Sequence, residues 1–318
     1  MCNKLENHRE ICTKTGLAST VQACCQQLKK RTISWAPETY AFSRDKSQGP
    51  ELGRLKRAFQ HHQHKAQEAG SGVHSGKLWI LKPSAMNRGK GIQIFHDFKA
   101  METFLRARAL RESFIVQKYI ENPLLIEKRK FDLRMYVLVI SEPRKVFLYP
   151  EGYVRTCSMQ YKSDDISDQR IHLTNDAVQK DAKEYGAFED CNKLSFEQFE
   201  KALQSKLDFK RDVYPQIKQC VSELFSAASK RMLNPKENLP GTFELMGLDF
   251  MLDDESHVQL IEVNTSPALF RKGAHLKELL PQVMEEVLQK ALDPWFPPPQ
   301  HASYPDKLNV FEEIPIGL

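Results

Sequence analysis

Nothing in this sequence is apolar for long enough to cross a bilayer. Runs such as YVLVI, Tyr136 to Ile140, fall far short of the ~20 residues that a spanning helix needs. No membrane association is therefore expected. The opening MCNKLENHRE has neither an apolar core nor a small-residue cleavage site, so no secretory leader is expected. The seven cysteines never fall at Cys-x-x-Cys spacing, and Cys24 and Cys25 are adjacent, which is awkward for an ordinary structural disulfide. That pattern removes a disulfide framework and a thiolate zinc site, and a reducing cytoplasm is the simplest compartment. There is no internal repeat. Charge of neither sign dominates: the formal net charge is +5, an excess that steers acidic partners without choosing among nucleic acid, an acidic protein tail and ATP. Basic residues are spread along the chain and not arrayed with exposed aromatics, which argues against nucleic-acid binding.

With 318 residues, 41% hydrophobic and 27% charged, the composition is that of an ordinary globular protein able to bury a sizeable core. Residues 1–34 are polar, with scattered apolar positions and no clear strand signal. From Asp45 to Gly76 the chain is rich in Gln, His, Gly, Ser and Lys and reads as a weak helix running into a mobile loop near 60–76. His61, His62 and His64 read as exposed and unliganded, because no carboxylate or cysteine stands at ligand spacing beside them. GSGVHSGKL resembles a phosphate loop but has Ser71 in place of the first glycine. It also has Leu78 where a magnesium-binding hydroxyl is required, so that motif is rejected.

Beyond this loop the signals sharpen. KLWILKP, GIQIF, SFIVQKYI, KFDLRMYVLVI and KVFLYPEGYVR read as strands, and FKAMETFLRAR as a helix. Ser195 with Gln198 forms a capping-box signature ahead of a helix carrying Phe196, Phe199, Leu203 and Leu207. Further helices are expected over roughly Tyr214 to Leu233 and through LKELLPQVMEEVLQKAL, the latter stopped by the prolines of DPWFPPP. Residues 297–318 read as an extended tail. Frequent hairpins and irregular alternation favour an α+β fold with antiparallel sheets in two lobes facing a cleft.

The chemistry-bearing residues sit on these strands. In GLDFMLDDESHVQLIEVN a turn near Asp254 to Ser256 places Asp249 opposite Glu262. Glu262 and Asn264, two residues apart, project on the same face. Two carboxylates and an amide oxygen suit magnesium, although the same pattern suits a solvated sheet face. Lys130, Asp132, Arg134 and Tyr136 share one face of their strand, Arg155 ends the next, and Lys82 ends LWILK. Lys82 is followed by a turn in which Gly89 and Gly91 allow backbone to approach an anion while Arg88 and Lys90 supply charge. Taken together, basic groups on early strands and an acid–amide set on a late hairpin are complementary parts of a magnesium–polyphosphate site.

WILKPSAMNRGKGI, IVQKYIENPLLIEKRKFDLRMYVLV, EGYVRTCS, HLTNDAVQK and FELMGLDFMLDDESHVQLIEVN occur in this order. Together they resemble the tubulin tyrosine ligase family, which uses the ATP-grasp fold, over roughly Trp35 to Pro299. The resemblance implies a short N-terminal region at 1–34, a central ATP-grasp lobe at 35–126, a C-terminal lobe at 127–300 and a tail at 301–318, with the nucleotide between the lobes. It assigns Lys82, Arg88 and Gly89 to the ATP phosphates, and Gln117, Lys118, Tyr119 and Ile120 to an adenine-reading hinge. Lys130, Asp132, Thr174, Asn175 and Asp249 would complete the nucleotide pocket. Asp249, Glu262 and Asn264 would bind Mg2+, Arg134 and Arg155 would face the reacting carboxylates as catalytic groups, and Arg155 and Lys180 would serve the amino-acid substrate.

The implied activity is ATP-dependent ligation of a free amino acid to a carboxylate of the acidic tubulin C-terminal tail through an acyl phosphate. Tyrosine is favoured. The alternatives are a glycine or glutamate ligase acting on tubulin or another protein, and a non-catalytic tubulin-binding relative. NTSPAL and NRGKGI resemble the glutamate- and glycine-ligating members more than the tyrosine-ligating ones. A monomer in the cytoplasm, with association to microtubules or cilia, completes the expectation.

Overall fold

A computed structural model describes residues 2–43, 49–68, 77–87, 89–108, 112–234, 239–299 and 309–317. Two helices open the chain, α1 (Arg9–Cys12) and α2 (Lys14–Gln27). They are followed by β1 (Thr39–Phe42), α3 (Gly49–Glu68), β2 (Trp79–Pro83), β3 (Gln93–Phe95), α4 (Phe98–Arg108) and β4 (Phe114–Lys118). Next come β5 (Leu125–Ile126), β6 (Arg129–Ile140), β7 (Lys145–Gln160), α5 (Gln169–His172), α6 (Asp176–Gln179), β8 (Lys193–Leu194) and α7 (Phe196–Ala202). A π-helical turn at Phe209–Val213 enters α8 (Tyr214–Met232), and β9 (Phe243–Leu252), β10 (Val258–Thr265), α9 (Ala274–Ala291) and β11 (Glu312–Ile314) complete the order. The α+β class expected from the sequence is the one observed.

The strands form two antiparallel sheets. The smaller has the order β1-β4-β2-β3; the larger runs β10-β9-β6-β7-β11, with β5 on β6 and β8 on β7. The central strand β6 explains the layering. Its Phe131, Leu133, Met135 and Val137 belong to a core shared with Ile217, Val221, Leu224 and Phe225 of α8. Its Tyr136 and Leu138 belong to a second core, under Leu276, Leu279, Leu280 and Val283 of α9. A strand covered on both faces reads as a near-continuous apolar run, and each fully buried large side chain contributes about 1.5–3 kcal/mol. The small sheet packs Trp79, Leu81, Phe114 and Val116 against Leu55 and Phe59 of α3 and Met101 and Leu105 of α4. Among the described residues, no helix is long and apolar enough to cross a membrane.

Four details depart from the sequence reading. Residues 1–34 hold α1 and α2, with Thr13 capping α2 by accepting from Gly16 N, and α2 packs against α8 and both sheets. The helix after Ser195 has its capping box, but it ends at Ala202, before Leu203 and Leu207. The expected tail contributes β11 to the edge of β7, and the buried carboxylate of Glu286 on α9 accepts the N–H groups of Val310 and Phe311, both at 2.9 Å. The histidines do have carboxylates nearby: His62 Nε2 is 2.9 Å from Glu38 Oε2, and His64 is 3.3 Å from Glu68. The rejected phosphate-loop look-alike and the end of the expected mobile loop fall mostly outside the described residues.

Candidate active site

A cleft of about 660 Å³, its mouth included, opens between residues of both sheets. The small sheet supplies Ile80 and Lys82 from β2 and Gln117 and Lys118 from β4, followed by Tyr119 and Ile120. The large sheet supplies Lys130 and Asp132 from β6, Arg155 from β7, Asp249 and Met251 from β9, and Ile261 and Glu262 from β10. His172, Leu173, Thr174 and Asn175 close one side, and Lys14 of α2 reaches in from another.

At one end of the cleft, positive charge is stranded. Lys82 and Lys130 are almost wholly buried. Among the described residues neither has a carboxylate within 4 Å; their hydrogen-bond acceptors are neutral. Lys82 Nζ donates to Gln117 Oε1 at 2.7 Å, and Gln117 Nε2 in turn donates to Thr39. Lys130 Nζ donates to Tyr119 Oη at 2.8 Å, Tyr119 Oη lies 2.7 Å from His172 Nδ1, and His172 Nε2 lies 2.6 Å from Asp165 O. One directional chain satisfies all four groups: the tyrosine hydroxyl donates to Nδ1 of a neutral histidine whose Nε2–H donates to the carbonyl. Burial lowers the His172 pKa, consistent with that neutral ring. Burial pushes Lys82 down to about 8, with Glu262 opposing and Lys14 assisting. It pushes Lys130 down to about 7.

Negative charge gathers on β9 and β10 in the same cleft. Asp249 and Glu262 face each other across β9 and β10, after a bulge between Leu260 and Glu262 shifts the register by one. Asp249 accepts from Arg134 through Nε and through Nη2 at 3.0 Å, and forms an ion pair with Arg155 Nη2 at 2.7 Å. Arg155 also grips Asp132 with Nε and Nη2 at 2.7 and 2.6 Å, and the Thr174 hydroxyl donates to Asp132 at 2.5 Å. Burial works against an ionised Asp249, but Arg134 and Arg155 outweigh it and hold the carboxyl well below the usual range. Glu262 has no such partner: burial and then the charge of Asp249 raise it. Asn264 Nδ2 lies 3.3 Å from Asp249 and 3.2 Å from Glu262, so the amide puts positive N–H groups between two carboxylates. Two facing hard oxygen donors, in contact with each other and both accepting from the Asn264 amide, fit a divalent cation once both are ionised.

The remaining residues singled out from the sequence scatter. Arg134 and Asn264 meet the cleft only through Asp249 and Glu262. Lys118 is tied to Leu78 O and Glu121. Gly89 is buried beside the cleft with φ +75°, and a Cβ there would meet Leu173 and Val178 at 3.0 and 3.2 Å, so only glycine fits this turn. Arg88 lies outside the described residues. Lys180 is exposed at the end of α6, away from the cleft lining. Sequence reasoning missed Lys14, which lies in a polar segment without a motif, and His172, which opens the quoted HLTNDAVQK.

The sequence matches the family described as "Tubulin-tyrosine ligase family" over residues 1–302. It is 32% identical over 220 residues to tubulin glycylase 3B of Tetrahymena thermophila, covering 68% of this chain and 18% of that protein. It is 33% identical over 231 residues to a probable alpha-tubulin polyglutamylase, Ttll1, of the same organism, covering 68% and 55%. A protein polyglycylase of Rattus norvegicus, TTLL10, is 28% identical over 312 residues, covering 91% and 44%. The chain thus spans about half or less of the length of these relatives.

Proposed function

Because the chain belongs to the tubulin-tyrosine ligase family, we propose that it is an ATP- and magnesium-dependent carboxylate–amine ligase that adds glycine or glutamate to a carboxylate of a tubulin tail. The observation that carries the proposal is the division of charge in the cleft. Two buried lysines without carboxylate partners among the described residues can take an anion, and the facing Asp249 and Glu262, on neighbouring strands of the same cleft, can take a cation. An unpaired buried charge costs several kcal/mol, and the phosphates of Mg-ATP offset that cost at the lysines.

In this reading the two sheets belong to the two lobes of an ATP-grasp fold expected at residues 35–126 and 127–300, with β5 and β11 added to the second lobe and the nucleotide between them. Lys82 and Lys130 hold phosphate oxygens. Ile80, Met251 and Ile261 pack the base, and Gln117 to Ile120 read its edge. Asp249 and Glu262 would hold the metal, with Asn264 turning its amide oxygen in place of the Nδ2 that now faces them, and the metal would supply charge neutralisation on the transferred phosphoryl group. The acceptor carboxylate oxygen attacks the γ-phosphorus, ADP departs and an acyl phosphate forms. The amine nitrogen of the free amino acid then attacks the acyl carbon, loses a proton and expels phosphate, leaving an amide. Arg155, already sharing Asp132 and Asp249, orients the anionic intermediate, and Arg134 keeps Asp249 ionised.

Tyrosine, favoured from the sequence, finds no support among the relatives, whose names specify glycylation and polyglutamylation. Those names and the NTSPAL segment favour the glycine or glutamate alternative. The proposed setting is the cytoplasm, at microtubules or cilia. The test is incubation with Mg-ATP, tubulin and radiolabelled glycine, glutamate or tyrosine in separate reactions. Glycine or glutamate incorporation is expected. Tyrosine incorporation alone would restore the first expectation, and ATP binding without any incorporation would favour a non-catalytic member.

A further inference from the structure

A second cavity lies beside the cleft, lined by Phe188, Glu189, Asp190, Lys193, Lys272 and His275 among others. Two connections join it to the nucleotide cleft. Lys193 on β8 pairs directly with Arg155 on β7, so the two side chains leave the same sheet face as neighbours. Asn175, which lines the cleft, is followed by Asp176, whose Oδ1 accepts from Lys193 Nζ at 2.9 Å. Lys193 is 8% exposed. Its other acceptor is Cys191 O, at 2.9 Å.

The charges of this cavity have a particular balance. Asp176 serves two ammonium groups, Lys193 at 2.9 Å and Lys272 at 3.8 Å. With Asp190 also lining the cavity, two ammonium groups face two carboxylates, so the charges balance but stand on different walls. Glu189 is engaged by the buried Arg129. Asp190 uses Oδ2 to accept from Ala274 N at 2.8 Å, and the carboxylate stands on the acidic wall of the same cavity. A chamber with a cationic wall and an acidic wall suits a small zwitterion. A polyanionic peptide would meet Glu189, Asp190 and Asp176 as like charges, which disfavours it.

We propose that this chamber binds the free α-amino acid substrate. Lys193, with Lys272 at the rim, holds the α-carboxylate, and the ammonium group faces the acidic wall at Asp190. The inference rests on the ligase reading of the neighbouring cleft. It also moves the amino-acid contact from Lys180, which is exposed, to Lys193. Lys193 is a binding and positioning residue, acting on the amine through the carboxylate that it holds.

The test is equilibrium binding of glycine, glutamate and tyrosine to the full chain by ligand-observed NMR, with a non-hydrolysable ATP analogue present. Nucleotide binding is followed separately by thermal shift. Expected is binding of at least one amino acid, weakened tenfold or more in Lys193→Met, restored within about threefold in Lys193→Arg, and weakened severalfold in Lys272→Met at the exposed rim. The nucleotide shift should stay the same in all three variants. Absence of amino-acid binding in the parent chain would overturn the inference, as would equal binding in Lys193→Met and Lys272→Met. Failure of the nucleotide analogue to bind would instead overturn the ligase reading and leave the amino-acid measurement to decide the chamber.

Discussion

Replacing Lys82 by methionine should make the ligand-free protein less sensitive to alkaline pH and insensitive to nucleotide. In the folded chain burial lowers the Lys82 pKa from 10.5 to about 8. Between those values the unfolded chain holds a proton that the folded chain has released. Stability therefore rises with pH across that window, by about 1.4 kcal/mol per unit, and the cost of the buried charge is fully present below it. The full cost at pH 7 is about 3 kcal/mol, obtained from 2.5 units at about 1.36 kcal/mol each. Lys82→Met removes the charge but leaves Gln117 Oε1 without its donor. Losing that donor costs roughly 1–3 kcal/mol, so the net gain at one pH is small. The pH dependence is the cleaner signal. Urea unfolding at pH 7 and pH 9.5 should show the variant losing about 2 kcal/mol relative to the parent, whatever the contribution of Gln117. Mg-ATP at a hundred times its dissociation constant should stabilise the parent by about 2.7 kcal/mol and the variant hardly at all. A stability difference that ignores pH, together with an undiminished nucleotide effect, would refute the picture of a buried cation waiting for phosphate.

Glu262→Gln should keep the fold, because burial and Asp249 already favour a neutral group there. ADP release with tubulin and amino acid should nevertheless fall by roughly a hundredfold or more, and unchanged turnover would remove the carboxylate pair from the chemistry. Asp249→Asn strands the buried Arg134 and leaves Arg155 with Asp132 alone, and unfolding should register a loss of about 3–5 kcal/mol; a loss below 1 kcal/mol would contradict the ion-pair network. Lys14→Met should weaken nucleotide binding about tenfold, the scale of one charge-assisted hydrogen bond, as read by calorimetry. Unaltered affinity would show that α2 packs beside the cleft without serving it.

Much of the large sheet could be read in advance because its signals are local. Alternation on KFDLRMY separates Lys130, Asp132 and Arg134 from Phe131, Leu133 and Met135, and the observed cores follow that division. The hairpin pairing of Asp249 with Glu262 was readable from turn position, although the chain reaches it through a bulge that no periodicity announces. What stayed hidden depends on contacts between remote segments. Lys14 enters the cleft because α2 packs on α8 and both sheets, and its own segment has no strong apolar stripe. Arg134 and Arg155 looked like groups aimed at substrate, whereas in the ligand-free chain Asp249 and Asp132 hold them. Lys180 stands in a quoted motif, whereas nothing in the sequence sets Lys193 beside Arg155; that neighbourhood depends on a two-residue strand too short to leave a pattern.

The carboxyl-terminal strand has a practical bearing on how the protein can be shortened or fused. β11 covers Val146 to Leu148 at the rim of the large sheet, and Lys145 with Glu313 and Lys218 with Glu312 fasten it from outside. Trimming the chain before residue 309 would bare that row of amides and carbonyls and leave the Glu286 carboxylate buried without its two N–H donors. An uncovered apolar rim is a template for edge-to-edge association between molecules. A protein shortened there would be lost to aggregation while its cleft was still intact, and inactivity in such a preparation would say nothing about catalysis.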